Sequence, residues 1–367
     1  MLRSLVWFVV IFLISSGMAQ AEPYIAMREG LNCSACHTNP TGGGKRNEFG
    51  NTYAQFSLAA ERIGGGKNQE SASSSESWLG KLDQYIGLGA DFRGEYISTD
   101  TPGASKVSEF SYEESLVYFQ FQPVPGRISL YVDQKFGPGA SQTREAYGLF
   151  KASDSPFYFK AGRFFLPFGL RLEDDTAFTR SVTGISFDTP DDGIEAGFEK
   201  GAWSGQLAVT NGAGGGTEQD DDKQLSMNAV YTLSRWRLGG SFNTNETISG
   251  SRDMTAVYGG LNIGMMTWLL EFDNVTDDVP GVGESEQQIY LVEANTLLSK
   301  GSNLKVTYES LQFDDPNIED RDRISVIWEY FPIQYTQFSF GYRTNDGADN
   351  LPLQNQDQIF AHIHLFF

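Results

Sequence analysis

The feature that most constrains the fold is a two-residue alternation of apolar and polar side chains, which begins near Trp78 and runs to the C-terminus. The segments 267–273, 304–309 and 323–330 place apolar and aromatic side chains on one face and mainly polar ones on the other. A period of two indicates strands, because successive side chains of a strand point to opposite faces. Runs of about ten such residues are typical of transmembrane β-barrels. The sequence therefore predicts an all-β chain, an antiparallel transmembrane β-barrel.

The connections between these segments supply a second signal, because tight turns and longer polar loops alternate along the chain. Tight turns are expected at 123–126, 153–156, 200–201, 234, 265, 300–302 and 332–333. Long loops are expected at 99–108, 138–142, 165–192, 212–223, 246–253, 277–285, 314–321 and 345–355. Outer-membrane barrels alternate in this way, with short periplasmic turns and long outer loops. The count predicts about sixteen strands, with both ends of the chain on the periplasmic side.

The last strand is predicted over 359–367, where apolar residues alternate up to the terminal Phe367. A terminal aromatic residue behind such an alternation looks like the final strand that outer-membrane proteins present to their insertion machinery. By the same alternation, His362 and His364 face the lumen. The longest loop, 165–192, is expected to be functional and could fold into the lumen.

The first 21 residues read as a secretory signal peptide, cleaved before Glu22. Arg3 provides the positive start, the apolar run covers 5–14, and small residues end at Ala21. That run is shorter than the roughly 20 apolar residues of a membrane-spanning helix, and no later stretch approaches this length. We therefore expect export to the bacterial outer membrane, with outer-membrane lipid as the surroundings.

The chain is strongly acidic, with a formal net charge of −20 that becomes −21 when Arg3 is removed. Nucleic acid is not an expected partner, because two polyanions repel each other. Acidic runs in the predicted outer loops either solvate those loops or form a vestibule that attracts cations such as ferrous iron.

The two cysteines of the chain, Cys33 and Cys36, stand two residues apart and are followed by His37. C-x-x-C-H is the attachment signature of c-type haem, in which both thiols bind the porphyrin and the histidine takes one axial position on iron. A disulfide or thiol-redox pair is an alternative in an exported chain, and a metal site is another. Zinc would need two further ligands at short spacing, whereas the remaining histidines are His362 and His364. We predict one covalent haem c.

Residues 22–63 are predicted to be a small cytochrome c-like segment, with an extended lead-in over 23–32 and a helix over 45–63. The helical face contains Phe49, Tyr53 and Phe56, and it packs either on an ordinary core or on the haem. So short a segment usually needs a covalent staple, which the haem would provide.

Two cations of this segment have open roles. Lys45 and Arg46 could pair with haem propionates, but we expect them to be solvated surface cations. The Gly/Ser-rich tract 64–77 is predicted to be a flexible linker to the barrel, which is assigned to 78–367.

The ligand on the far side of the haem iron is not fixed by the motif. His37 is the proximal ligand, and the candidates opposite it are His362, His364 and Met27. An open or externally ligated position is the remaining option. A histidine ligand would give a lower potential than a methionine.

The motifs resemble those of the fused outer-membrane cytochrome–porins of iron-oxidising bacteria: C-S-A-C-H-T at 33–38, F-G at 49–50, then Tyr53 and a barrel. The insert T-G-G-G-K-R at 41–46 looks instead like haem-motif porins associated with multihaem conduits of metal-respiring bacteria. The stretch A-G-R-F-F-L-P-F-G at 161–169 is similar to a strand and loop start of phosphate-type porins. The resemblance implies a monohaem barrel in extracellular electron transfer.

The leading expectation is electron transfer across the outer membrane, and ferrous iron oxidation as an iron:cytochrome oxidoreductase is one form of it. The apolar band of such a barrel is about 25 Å tall, so one haem cannot serve the whole span unless it lies inside the lumen or a partner adds haems. Expected partners are periplasmic cytochromes, with extracellular iron or a multihaem cytochrome outside. The alternatives are a barrel sheath for a multihaem cytochrome and a passive diffusion porin with an accessory haem.

Overall fold

The computed structural model describes residues 22–63, 84–137, 139–153, 155–174 and 176–367. The predicted signal peptide (1–21), the predicted linker (64–77) and the first residues assigned to the barrel (78–83) lie outside the described residues.

Sixteen antiparallel strands close into one barrel, in which each strand pairs with its neighbours in sequence and the first pairs with the last. The predicted strand number and the predicted fold class are confirmed. The strands are β1 (Ile86–Asp100), β2 (Val107–Val124), β3 (Ile128–Gly137), β4 (Gln142–Lys151), β5 (Phe157–Phe164), β6 (Asp191–Lys200), β7 (Trp203–Thr210), β8 (Gln224–Thr232), β9 (Trp236–Thr247), β10 (Gly250–Ile263), β11 (Met266–Val279), β12 (Gly283–Ser299), β13 (Ser302–Phe313), β14 (Arg321–Tyr330), β15 (Thr336–Asp346) and β16 (Asp357–Phe366).

The alternation along each strand separates an apolar outer face from a polar lumen. On β13, Val306 and Tyr308 are exposed on the outside, whereas Lys305, Thr307 and Glu309 are buried inside. A belt of exposed aliphatic and aromatic side chains is stable when lipid covers it. The chain is therefore a barrel of the outer-membrane type. Within the described residues, no helix is both long and apolar enough to cross a bilayer.

Two of the predicted long outer loops are tight turns instead. β9 runs to Thr247 and β10 resumes at Gly250, while β11 runs to Val279 and β12 resumes at Gly283. Strands need an apolar face only where they contact lipid, so polar residues can extend the ladder beyond the membrane. An ion pair between Arg252 Nε and Asp277 Oδ1 at 2.6 Å joins β10 and β11 in this polar extension. The expectation of loops at 246–253 and 277–285 was wrong.

The N-terminal segment begins with a helix, α1 (Pro23–Glu29), where the sequence predicted an extended lead-in. Proline in the first helical turn presets the helical φ and loses no hydrogen bond there. Gly30 then ends the helix at φ 66°, a left-handed conformation that favours glycine. The Leu31 N–H donates to the Ala26 carbonyl at 2.9 Å, which completes the cap.

The predicted helix over 45–63 is shorter in the structure. α2 spans Glu48–Tyr53, and one π-helical turn continues it to Leu58. Beyond that turn, the N–H groups of Ala60 and Glu61 donate to carbonyl oxygens in the turn before β15, at 2.8 and 3.0 Å. Pairing with the barrel rim therefore replaces the last helical turn.

Residues 22–63 lie inside the barrel, at the end where β8 turns into β9 and β10 turns into β11. We call these residues the plug. Gly30 packs on Ser234 in the turn between β8 and β9, and Met27 packs on Gly260 near the same end of β10. The long loop 165–190, which we call the inner loop, enters the lumen from the opposite end. Its short helix α3 (Phe178–Ser181) is held where the Phe178 N–H donates to Glu309 Oε1 at 2.7 Å.

Candidate functional site

The C-x-x-C-H turn is held by a network centred on Asn47, the residue that caps α2. The Asn47 side chain accepts a hydrogen bond from the Gly50 N–H at 2.9 Å. Its Nδ2 donates to the carbonyl oxygens of Ser34 and Ala35 at 3.1 and 3.0 Å. An N-cap side chain thus fixes the start of a helix and the C-x-x-C-H turn at once. Residues 33–37 consequently have one defined position relative to α2.

Three consecutive glycines allow the turn after His37 to pack closely against neighbouring side chains. Gly42, Gly43 and Gly44 have φ values of 89°, 79° and 62°, a region that L side chains rarely adopt. A Cβ on Gly43 would lie 2.5 Å from the Phe187 ring of the inner loop, and one on Gly42 would lie 3.1 Å from Cys33 Cβ. The glycines therefore permit this turn of the plug to pack closely on Phe187 of the inner loop and on Cys33 of the plug.

Polar groups of the barrel wall hold the plug. Asn39 is buried, and its Nδ2 donates to Glu145 Oε1 at 2.7 Å while its Oδ1 accepts from Lys160 Nζ at 3.3 Å. The Lys45 N–H donates to the Tyr131 hydroxyl oxygen at 2.9 Å. These contacts come from β3, β4 and β5 and fix the middle of the plug.

Between the plug, the inner loop and the wall lies an open cavity of about 1310 Å³. Cys33, Cys36 and His37 all line this one cavity, and both cysteines are free thiols. The inner loop contributes 167–171 to the lining, and the wall contributes polar side chains, among them those of Gln206, Asn228 and Tyr258. Helix α2 presents Gly50 and Ala54 to the cavity.

Of the predicted apolar face, Tyr53 lines the cavity, whereas Phe49 and Phe56 do not. Phe49 and Phe56 are 49% and 37% exposed. Gly50 and Ala54 border the cavity beside Tyr53, and these small residues leave room next to the cysteines for a flat group.

The buried imidazole of His37 lacks a hydrogen-bond partner for its Nδ1 among the described residues. Burial, reinforced by the positive charge of Arg46, lowers the pKa of His37 to about 4. The imidazole is therefore neutral at physiological pH, as a metal ligand must be. Burial also raises the pKa of the Cys36 thiol, so this cysteine does not have the low pKa of thiol-redox sites.

Three arginines line the same cavity: Arg46 of the plug, Arg171 of the inner loop and Arg237 of β9. Glu22 is the one carboxylate among the described lining residues. Arg46 Nη1 lies 3.7 Å from Asp91 Oδ1, whereas Arg171 and Arg237 form no ion pair within the described residues and donate to backbone and hydroxyl oxygens. Burial lowers the pKa of Arg171. Three guanidinium groups against one carboxylate leave the lining with an excess of positive charge, which an anionic group in the cavity would stabilise.

The expectation that Lys45 and Arg46 are solvated surface cations was wrong. Lys45 is buried, and its Nζ donates to the Arg46 carbonyl at 3.0 Å. The Arg46 guanidinium stacks on the Phe366 ring, 4.1 Å from its centroid, and lines the cavity. Of the two, Arg46 is placed to contact a group there.

None of the three candidate distal ligands lines this cavity. Met27 is fully buried, and a Cβ on Gly260 would lie 2.8 Å from its sulfur, so this thioether points at the barrel wall. The other two candidates do face the lumen, as expected. His362 Nε2 lies 2.8 Å from Glu95 Oε2, and His364 Nδ1 lies 3.3 Å from Gln337 Oε1. These contacts do not favour ligation of a group in the cavity.

The sequence pointed to Cys33, Cys36 and His37, but gave no sign of Arg171, Arg237 or the polar wall. Those residues come from the inner loop and from separate strands, and only barrel closure brings them to the plug. The length of the loop 165–192 was the one available signal.

No family model and no curated protein matches this sequence. Solved outer-membrane porins share its fold. The anion-selective porin of Comamonas acidovorans is 9% identical, with 77% of this chain and 99% of that chain covered and a TM-score of 0.61. OprB of Pseudomonas putida is 10% identical over 78% of this chain and 95% of its own, with a TM-score of 0.61. OmpT of Vibrio cholerae is 11% identical over 77% and 100%, with a TM-score of 0.59. The chain is thus an outer-membrane β-barrel with a porin-like fold.

Proposed function

We propose that the plug carries one covalent haem c and that the plugged barrel moves electrons across the outer membrane. The observation that carries this proposal is the meeting of Cys33, Cys36 and His37 with three arginines in one lumenal cavity. A bound haem would supply one-electron redox chemistry at this place in the barrel.

The residues present fit such a group. The thiols of Cys33 and Cys36 would hold it covalently, and the neutral His37 imidazole would ligate its iron. Arg46, Arg171 and Arg237 would pair with its two carboxylates, because guanidinium groups bind carboxylates through charge-assisted hydrogen bonds.

The location of the cavity supports transfer through the lumen. The plug enters from the end that contains the β8–β9 turn. The inner loop, the longest loop, lies at the opposite end, and long loops are extracellular in this fold class, so the plug enters from the periplasmic end. Its turn 41–44 reaches the inner loop, where Arg171 Nη1 donates to the Gly42 carbonyl at 2.9 Å. The proposed haem would therefore be inside the barrel, accessible to a periplasmic cytochrome from below and approached by the extracellular donor or acceptor from above.

The test is electron transfer by proteoliposomes that contain this protein alone. External ferrous iron should reduce an acceptor dye trapped inside the liposomes. Liposomes that contain the Cys33→Ala/Cys36→Ala variant should show no such reduction. If the wild-type liposomes transfer no more electrons than empty ones while the protein carries haem, the electron-transfer proposal is wrong.

A passive diffusion porin is the second candidate function, and one observation favours it. A polar cavity of about 2550 Å³ opens between the plug and the barrel wall, lined among others by Gln84, Gln120 and Arg127. Liposome swelling separates the two functions. Fast entry of small sugars into liposomes of the intact protein would support diffusion, whereas slow entry would agree with a closed plug.

The remaining alternative, a barrel sheath around a multihaem cytochrome, is not favoured by the contents of the lumen. The plug and the inner loop occupy the lumen in which a sheathed partner would lie. A partner at either mouth of the barrel remains compatible with the proposal.

A further inference from the structure

We propose that Glu95, Glu113 and His362 form a binding site for a divalent transition-metal ion inside the lumen. One carboxylate oxygen from each glutamate and one ring nitrogen of the histidine all lie within 4.8 Å of one another. This site is separate from the cavity that contains Cys33 and His37, and the inference does not depend on the haem.

The three side chains come from three adjacent strands, so a rigid scaffold positions them. Glu95 on β1 stands directly opposite His362 on β16 in the strand ladder, and His362 Nε2 is 2.8 Å from Glu95 Oε2. Directly opposite residues on one face have their Cβ atoms roughly 5 Å apart. The pair therefore needs no loop movement to share one ion.

A β-bulge supplies the third ligand. Arg93 pairs with Glu114 and Gly94 pairs with Tyr112, so Glu113 is the extra residue between them. The bulge breaks the alternation, and Glu113 and Glu114 are both buried although they are consecutive. A bulge that re-aims a side chain is common beside functional sites. Here it brings a second carboxylate next to the Glu95–His362 pair.

Neighbouring arginines bind Glu114 and Asp174. Arg93 Nη1 donates to Glu114 Oε2 at 3.0 Å, and Arg144 Nη1 donates to Glu114 Oε1 at 2.7 Å. Arg343 pairs with Asp174 of the inner loop. Glu114 thus binds the guanidinium groups of Arg93 and Arg144, while Glu95 and Glu113 bring two carboxylates close to His362.

A second open cavity, of about 610 Å³, reaches His362, one of the three ligands, and its lining includes the cations Lys305 and Arg323 beside several acids. It is lined by His362 and by the inner-loop acids Glu173 and Asp174. Glu22 and Glu329 line it as well, and Glu22 also lines the cavity of the cysteines. Acidic lining attracts cations, and this cavity connects the proposed site to the plug.

The donor set selects the class of ion. One imidazole with two carboxylates suits Zn²⁺, Fe²⁺, Co²⁺ or Mn²⁺, whereas Ca²⁺ and Mg²⁺ prefer oxygen ligands alone. The proposed site should therefore retain zinc in the presence of excess calcium.

The test is equilibrium dialysis of the intact protein, as purified in detergent, against Zn²⁺, with metal content measured by mass spectrometry. We expect about one Zn²⁺ per chain, unaffected by excess Ca²⁺, and affinity reduced by roughly 10–100-fold in Glu113→Gln and in His362→Gln. Glu293→Gln is the matched control, because Glu293 is another buried lumenal acid of the second cavity. Equal losses in Glu293→Gln, or no zinc in the wild type, would overturn the proposal.

A spectroscopic measurement on the wild type keeps the test valid if a variant fails to fold. X-ray absorption at the zinc edge should show only nitrogen and oxygen neighbours at about 2.0–2.2 Å. A sulfur shell near 2.3 Å would place zinc on Cys33 and Cys36 instead and would contradict the assignment.

Discussion

Arg171 of the inner loop donates hydrogen bonds from Nη1 to the carbonyl and hydroxyl oxygens of Thr41 in the plug, at 3.2 and 3.0 Å. This contact joins the two segments that fill the lumen from opposite ends. We expect Arg171→Ala to weaken docking of the plug by about 2–3 kcal/mol, because hydrogen bonds of a charged donor are lost. Single-channel conductance of the variant should rise above that of the wild type.

Arg163→Ala is the control for this prediction. Arg163 stands at the start of the inner loop and pairs with Asp192 at 2.8 Å without contacting the plug. Its removal should leave conductance unchanged, and an equal rise in both variants would refute the role of Arg171.

The haem spectrum should depend on His37 and not on the three distal candidates. None of Met27, His362 and His364 lines the cavity, so their replacement by alanine should leave the absorption spectrum of the reduced protein unchanged. His37→Ala should alter that spectrum, because it removes the proposed axial ligand. A changed spectrum in Met27→Ala or in the His362/His364 double variant would show that the plug rearranges around its cofactor.

Gly43 should be sensitive to substitution because of its surroundings as well as its backbone. Gly43→Ala should cost the roughly 1–2 kcal/mol of a left-handed alanine and should also force the ring of Phe187 to move. Gly103→Ala is the matched control, since Gly103 has φ 77° with no atom within 4 Å of its would-be Cβ. Hydrogen exchange of the plug amides should increase in Gly43→Ala only. Equal behaviour of the two variants would contradict the packing argument.

Docking of the inner loop should weaken in acid. Burial alone would raise the pKa of Asp174, but the guanidinium groups of Arg323 and Arg343 outweigh it and hold this pKa well below its usual range. The folded state therefore binds fewer protons than the unfolded state, so this contribution to stability is complete above about pH 4 and is lost progressively below it.

Asp174→Asn tests that pH dependence. The variant should expose the inner loop to protease at pH 7, because the buried guanidinium group of Arg343 loses its carboxylate partner, at a cost of about 3 kcal/mol, whereas Arg323 keeps its pair with Glu309. Its protease sensitivity should also change less between pH 5 and pH 3 than that of the wild type. A variant with the wild-type profile would show that Asp174 does not hold the loop.

The strand number and the closed barrel were predictable because a two-residue period repeats in every strand. Loop lengths were less predictable, since the polar ends of β9 to β12 have no lipid contact and carry no apolar face to mark them as strands. Helix α1 was missed because its short sequence has the turn-forming Pro23 at one end and Gly30 at the other. Those same residues begin and cap the helix.

The motif Cys33–His37 was predictable as a local pattern, whereas its surroundings were not. Arg171 and Arg237 lie far from it in sequence and reach it only through the folded lumen. The face of α2 was assigned to Phe49 and Phe56 because large apolar residues are usually buried. In the structure Tyr53 of the predicted face borders the cavity, beside Gly50 and Ala54, whereas Phe49 and Phe56 do not.

The central claim is that the plug carries a covalent haem, and the mass of the intact purified protein tests it most directly. We predict that the wild-type chain, after export in a host with cytochrome c maturation and removal of the signal peptide, exceeds the mass of residues 22–367 by one haem. The Cys33→Ala/Cys36→Ala variant should show the unmodified mass. A wild-type chain with the unmodified mass would contradict the account.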